Sequence, residues 1–259
     1  MAWFWARLKT RTTRLGTFKG GFQAFSDAFA AILRQQGVSI QLSTPVHKIE
    51  PSAGGGLELT LDSGVETFER VLVTVSPGLL ARMAPALPQS YLSGLLSLKS
   101  MGAVVLTLSL KHQVSREGYY WYNLPKTAGY PFLAFVEHTN YLSPDYFGGE
   151  HIVYCGDYLD STHENFALSK DQLIEKFLPA LRRFNPDFKA DWVIKSWLYK
   201  TDYAQPIPLV NHSQNIPAIH TPLDGLYFAG MSQVYPWDRG TNFAVQIGRQ
   251  AARLILSGI

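Results

Sequence analysis

The feature that most limits the fold is a short run without a charged side chain, residues 226–229, which Gly230 closes and a helix-spaced pattern follows. That pattern begins near Thr241 and sets Ala244, Ile247, Gly248, Ala251, Leu254 and Ile255 on adjoining faces. A wholly apolar strand has to be covered on both sides, which is the situation of a strand inside an α/β sheet. Gly230 ends it without a side chain and leaves room for close approach to the backbone. Asp238, Arg239 and Gly240 stand just before the first turn of the helix. There, unpaired N–H groups and the positive end of the helix dipole favour an anion. On periodicity alone, this is a strand and helix that any α/β protein could contain.

Upstream, Phe22, Phe25, Phe29, Ile32 and Leu33 recur at three- and four-residue spacing within residues 20–36, and Gly37 is a natural stop. The spacing predicts an amphipathic helix. Strand-like runs follow at 38–42, 46–50, 57–61 and 68–75, punctuated by Pro45, the Gly54-Gly55-Gly56 run and Asp62-Ser63-Gly64. The triple glycine joins two such runs and leads into no helix, so it reads as a hairpin loop and not as a phosphate cradle. Residues 77–98 suit short helices. Alternation then sets Leu106, Leu108 and Leu110 on one face, and runs at 119–124, 132–137 and 151–157 extend a largely antiparallel sheet. Ser169 and Gln172 make a capping box ahead of Leu173, Ile174, Phe177, Leu178 and Leu181, a helix expected to cover that sheet. Residues 192–199 return to β character, and 205–222 read as a proline-rich irregular stretch.

Composition narrows the function. The 259 residues are 46% hydrophobic and 17% charged, enough for one large core or two small ones. The net charge of +3 is spread over many segments, which is not a nucleic-acid footprint. One cysteine, Cys155, leaves no disulfide framework or multi-cysteine zinc site, and makes a cytoplasmic location the expectation. The histidines His47, His112, His138, His151, His163, His212 and His220 show no metal-ligand spacing, so no metal is assigned. Ser76 and Cys155 lack a nucleophile-elbow context, which argues against hydrolysis. At the N-terminus, Trp3, Phe4 and Trp5 precede Arg7, Lys9, Arg11 and Arg14, the reverse of a signal peptide's order. No run approaches the roughly 20 apolar residues that cross a bilayer. Such an aromatic and basic cluster can make peripheral membrane contact; a helix end packed on its own protein is the expectation here.

The stretch GLYFAGMSQVYPWDRGTNFAVQIGRQAARLI resembles the C-terminal flavin-contacting motif of the amine oxidase, protoporphyrinogen oxidase and phytoene desaturase superfamily. Two further segments agree in order and spacing. Phe18-Lys19-Gly20-Gly21-Phe22, then Pro45-Val46-His47-Lys48-Ile49, resembles the family's Gly-Gly helix and adenine-facing strand. Val73-Thr74-Val75-Ser76-Pro77 resembles the segment closing the same side of the cofactor. The resemblance implies an α/β (α+β) fold: an incomplete FAD-binding domain plus a mainly antiparallel substrate-domain sheet covered by helices. It implies FAD-domain remainder at 1–76, a substrate domain at 77–221, and a strand and helix returning to the FAD domain at 222–259.

By the same resemblance, FAD would touch Gly20, Gly21, Val46, Ser76, Pro77, Trp197, Gly230, Met231, Trp237, Asp238, Arg239, Gly240, Thr241, Asn242 and Phe243. Amides from Gly240 to Phe243 would favour the reduced flavin. The family usually has an acidic residue where Met231 stands, and a complete enzyme opens with G-x-G-x-x-G, which this sequence lacks. The expectation is an FAD-dependent oxidoreductase acting on a small hydrophobic or aromatic substrate, with its nucleotide-binding unit supplied by another chain or segment. The alternative is a flavin-free substrate-binding or interaction module. The dense run Tyr119-Tyr120-Trp121-Tyr122 could wall a substrate site or simply pack a sheet, and Tyr203 is a further aromatic candidate.

Overall fold

The computed structural model describes residues 2–9, 16–237 and 239–258, without the side chains of Trp3 and Arg7. Arg11, Arg14 and the expected site residue Asp238 lie outside the described residues. In chain order the elements are α1 (Ala2–Lys9), α2 (Gly21–Gln35), β1 (Val46–Pro51), β2 (Leu57–Leu61), β3 (Gly64–Phe68), β4 (Val71–Val73), α3 (Pro77–Met83) and α4 (Gln89–Ser97). They continue with β5 (Lys99–Leu110), β6 (Trp121–Asn123), β7 (Ala134–Glu137), β8 (His151–Leu159), α5 (Lys170–Leu181), β9 (Val193–Ile207), β10 (Leu226–Phe228) and α6 (Thr241–Ser257). Two compact units result, Met1–Lys99 with Pro206–Ile259, and Ser100–Gln205.

In the first unit, β10 pairs in parallel with β4, Leu226 opposite Val71 and Phe228 opposite Val73. Alternation sends Leu226 and Phe228 into a core with Ile49, Leu57, Val73, Leu80 and Leu95. Tyr227 and Ala229 enter a second cluster with Ile219 and Ala251 of α6. Burial on both faces is why the run tolerates no charge. The antiparallel meander β1-β2-β3 turns at the triple glycine, where Ser52 N–H donates to the Gly56 carbonyl. Ser76 caps α3 through its Oγ, which accepts from Leu79 N–H, and Pro77 opens the helix. Because Leu80, Met83, Leu87 and Leu95 share this core, α3 and α4 belong to the first unit, so the expected boundary at 76/77 falls inside it.

Residues 38–42 are not a strand: none of the described strands pairs with them, and Val38 and Leu42 are exposed. Helix α2 buries none of its residues. Its apolar stripe faces solvent, with Phe22, Phe29 and Ile32 at 59%, 52% and 51% exposure. Phe18, Phe25 and Phe29 stack along it, with centroid separations of 4.4 and 6.1 Å. In α1, Ala6 is buried while Phe4, Trp5 and Leu8 stay exposed.

The second unit is a five-stranded sheet in the order β6-β7-β8-β5-β9. Leu106 pairs with Cys155 and Leu108 with Val153, and these residues share one face. That face meets Phe132, Phe135, Leu173 and Phe177 in one continuous core roofed by α5. The capping box of α5 is formed, Gln172 N–H donating to Ser169 Oγ and Ser169 N–H to Gln172 Oε1. β9 continues to Ile207, past the start of the expected irregular stretch. Burial pushes the Cys155 thiol far above its ordinary range. Glu137, fully buried, accepts from the backbone N–H groups of Val114 and Ser115, from Ser115 Oγ and from Asn140 Nδ2.

Candidate functional site

The passage from β10 to α6 concentrates the expected site residues of the first unit. Gly230 is extended (φ −153°), so its lack of a side chain is not required by backbone angle. A Cβ there would lie 3.4 Å from the Phe228 ring. Its N–H donates to Gln233 Oε1 at 2.6 Å, while Gln233 Nε2 donates to the carbonyls of Pro217 and Phe228, each at 3.0 Å. The Gly230 amide is thus already used within the protein. Met231 opens a short helical turn, Met231–Gln233, and is half-buried. His212 Nε2 lies 3.2 Å from the Ser232 carbonyl, and its ring packs against Tyr235. Gln233 and His212 therefore hold this loop from two sides. His212 lies outside the recognised motif, and Gln233 lies within its loop without being among the expected contacts; only the clustering of polar residues ahead of a helix hints at either in the sequence.

Trp237 stacks on Phe243, with centroids 6.1 Å apart and planes 11° from parallel, across the start of α6. Arg239 and Gly240 are half-buried between them in sequence, and Thr241 and Asn242 are exposed. Among the described residues, no side chain caps α6. Its first-turn amides keep the partial positive charge of a helix start. A Cβ at Gly240 would fall 2.8 Å from Oδ1 of Asn242, the end of an exposed side chain that can swing aside.

The remaining expected residues have local structural duties. Gly20 and Gly21 have φ of 82° and 77°, a left-handed entry into α2 that favours glycine at both positions. The Ser76 hydroxyl and Pro77 start α3, as described, and Val46 begins β1 beside the first core. Trp197 lies on β9 in the second unit, 40% exposed.

The second unit has its own polar features. The His138 ring packs against Phe147 and Tyr154 at 5.5 and 5.6 Å, and its Nδ1 has no hydrogen-bond partner among the described residues. Burial holds the imidazoles of His138 and His151 below their usual value. Burial, then the neighbouring Tyr120 and Tyr199 phenols, pushes the Tyr154 phenol up. Among the described residues, no three His, Cys, Asp or Glu side chains gather as metal ligands, and no helix is long and apolar enough to cross a membrane.

The residues present fit the ring end of a flavin, because an uncapped helix start flanked by stacked aromatic rings suits an electron-rich, flat group. They do not make a place for a pyrophosphate at α3. Pro77 has no N–H to offer there, and the Leu79 amide is taken by Ser76.

A parallel strand pair with a helix returning onto it in one unit, and an antiparallel sheet in the other, match a known class. The model of the family "Flavin containing amine oxidoreductase" matches residues 1–256, and the chain belongs to this flavin-containing family. It is similar in fold to a protein assigned as a protoporphyrinogen oxidase from Exiguobacterium sp. 255-15, with a TM-score of 0.74 and 17% identity over 97% of this chain and 54% of that one. It is also similar to a putrescine oxidase bound to putrescine, with a TM-score of 0.65 and 17% identity over 92% and 53% of the two chains. An oxidoreductase from Methanosarcina mazei aligns with a TM-score of 0.61 and 17% identity over 82% and 49%. The chain therefore spans about half the length of these solved proteins. A comparison with curated proteins gave no match.

Proposed function

We propose that this chain is the flavin-ring-binding and substrate-binding portion of a cytoplasmic FAD-dependent oxidoreductase, completed by a nucleotide-binding unit carried on separate polypeptide sequence. The observation that carries this reading is the start of α6, which no described side chain caps, reached from a fully buried parallel strand and flanked by the Trp237–Phe243 stack. When bound, the flavin supplies the two-electron chemistry that no side chain here provides. The amides of Gly240 to Phe243 would hold its electron-rich edge, beside the stacked rings of Trp237 and Phe243. Gln233 and His212 hold the loop that sets Trp237 in place. The bare stripe of α2 supports the second part of the proposal, since a nucleotide-binding unit is the partner for Phe22, Phe29 and Ile32.

Mixing the purified chain and FAD with a separately produced βαβ unit bearing G-x-G-x-x-G tests both parts. A stable complex with flavin absorption is expected. Replacing Gly240 with leucine should abolish flavin retention while leaving the unfolding midpoint unchanged. A complex that stays colourless in excess FAD refutes the flavin reading and leaves a flavin-free binding module.

A further inference from the structure

Two helices of the first unit turn apolar side chains to solvent, and they do so in different chemical settings. On α2 the stripe is Phe22, Phe29 and Ile32, and the helix carries one acid, Asp27, one base, Arg34, and no tryptophan. On α1, Phe4 and Trp5 meet edge to face with centroids 5.6 Å apart and are 52% and 53% exposed, and Leu8, one turn on, is exposed as well. Before Asp27, its first acidic residue, the sequence holds five cations, Arg7, Lys9, Arg11, Arg14 and Lys19.

The seating of α1 fixes which way its apolar face points. Ala6 is buried, so the helix is held to the protein through that position. The helical period sets positions 4, 5 and 8 on the opposite side from position 6, with positions 7 and 9 at the two flanks of that face. The sequence places Arg7 at one flank and Lys9 at the other, and Lys9 is exposed.

An apolar face edged by cations makes two demands at once. A protein partner that covered Phe4 and Trp5 would also have to desolvate or pair the cations around them, and lysine is depleted in protein interfaces for that reason. An anionic bilayer surface meets both demands. Aromatic rings settle at the boundary between headgroups and acyl chains, tryptophan above all, while the cations stay level with the lipid phosphates. The bare stripe of α2 lacks this basic setting and remains a face for protein.

We propose that α1 is a peripheral membrane contact, with Phe4, Trp5 and Leu8 entering the interface of an anionic leaflet and Arg7, Lys9 and the basic residues after them drawing the protein to it. Two helical turns bury few apolar groups, so the binding is reversible and sensitive to salt. The inference goes beyond the flavin reading and uses no flavin.

The test is sedimentation of the purified full chain, without flavin, with vesicles of equal parts phosphatidylcholine and phosphatidylserine and with vesicles of phosphatidylcholine alone. Binding to the mixed vesicles is expected, about tenfold weaker or more on phosphatidylcholine and weakened by high salt. Lys9→Gln should weaken it about fivefold and Trp5→Ala about tenfold. Both side chains are exposed, so the unfolding midpoint should not move. Phe22→Ser on α2 should leave vesicle binding unchanged. The proposal is overturned if the mixed vesicles do not bind the chain, if phosphatidylcholine alone binds it as tightly, or if Phe22→Ser releases it and Trp5→Ala does not. Should vesicles fail to bind while Trp5→Ala weakens the complex with the separately produced βαβ unit, α1 faces protein instead. A colourless reconstitution would leave this proposal standing, and an absence of vesicle binding would leave the flavin reading standing.

Discussion

The two units treat their apolar residues in opposite ways. In the second, α5 places Leu173 and Phe177 fully inside a core that already holds Leu106, Leu108 and Cys155. In the first, α2 has an equally clear apolar stripe and buries none of it. An amphipathic pattern therefore says that a helix has a face to bury, and not that its own chain supplies the cover. The contribution of each helix to stability should differ accordingly, and substitutions can break or sharpen that contrast.

The largest effect is expected from Phe177→Ala, which empties a ring-sized space in the closed core and should cost about 3–5 kcal/mol in urea unfolding. A loss below about 1 kcal/mol would mean that the second unit's core is as loosely coupled as α2. Next is Glu137→Ala. It strands the buried amides of Val114 and Ser115, and about 3 kcal/mol is expected by the same measurement. Ser169→Ala removes the cap of α5 and should lower stability by about 1 kcal/mol.

A smaller effect comes from pH. His138 and His151 are held below the ordinary value of 6.5 by burial, so between that value and their folded-state pKa the unfolded chain binds more protons. Stability should fall as pH drops below 6.5 and level off once the folded protein is also protonated. Comparing urea midpoints of the native chain and His138→Phe across this range isolates one imidazole, and identical pH profiles would exclude it. Smallest of all, Phe22→Ser and Phe29→Ser should each change stability by less than about 0.5 kcal/mol while reducing self-association seen by light scattering. A loss comparable to that of Phe177→Ala would show that α2 is covered in solution.

Much of the fold was legible where one local rule acts alone. The α5 capping box, the triple-glycine hairpin, the start of α6 at Thr241 and the two-sided burial of β10 all follow from residue type and spacing. The rest depends on partners distant in sequence. Residues 38–42 have strand composition, yet a strand exists only as part of a ladder and none is offered. β9 runs past its expected end to Ile207, although Pro206 reads locally as a stop. For the candidate site, Trp237, Gly240 and Phe243 could be named from the motif. Gln233 and His212 could not, since their role consists of bonds to backbone atoms of Phe228, Gly230 and Ser232.

Cys155 gives the chain an experimental property of its own. Its sulfur lies in the closed core and holds its proton far more tightly than an ordinary thiol, so reagents that need a thiolate do not reach it in the folded state. A cysteine introduced at an exposed position, such as Phe22 on α2 or Tyr199 on β9, becomes the single reactive handle without removal of the native one. Fluorescent or spin labels can then be placed on either face, and reaction at Cys155 itself becomes a clock for opening of the second unit.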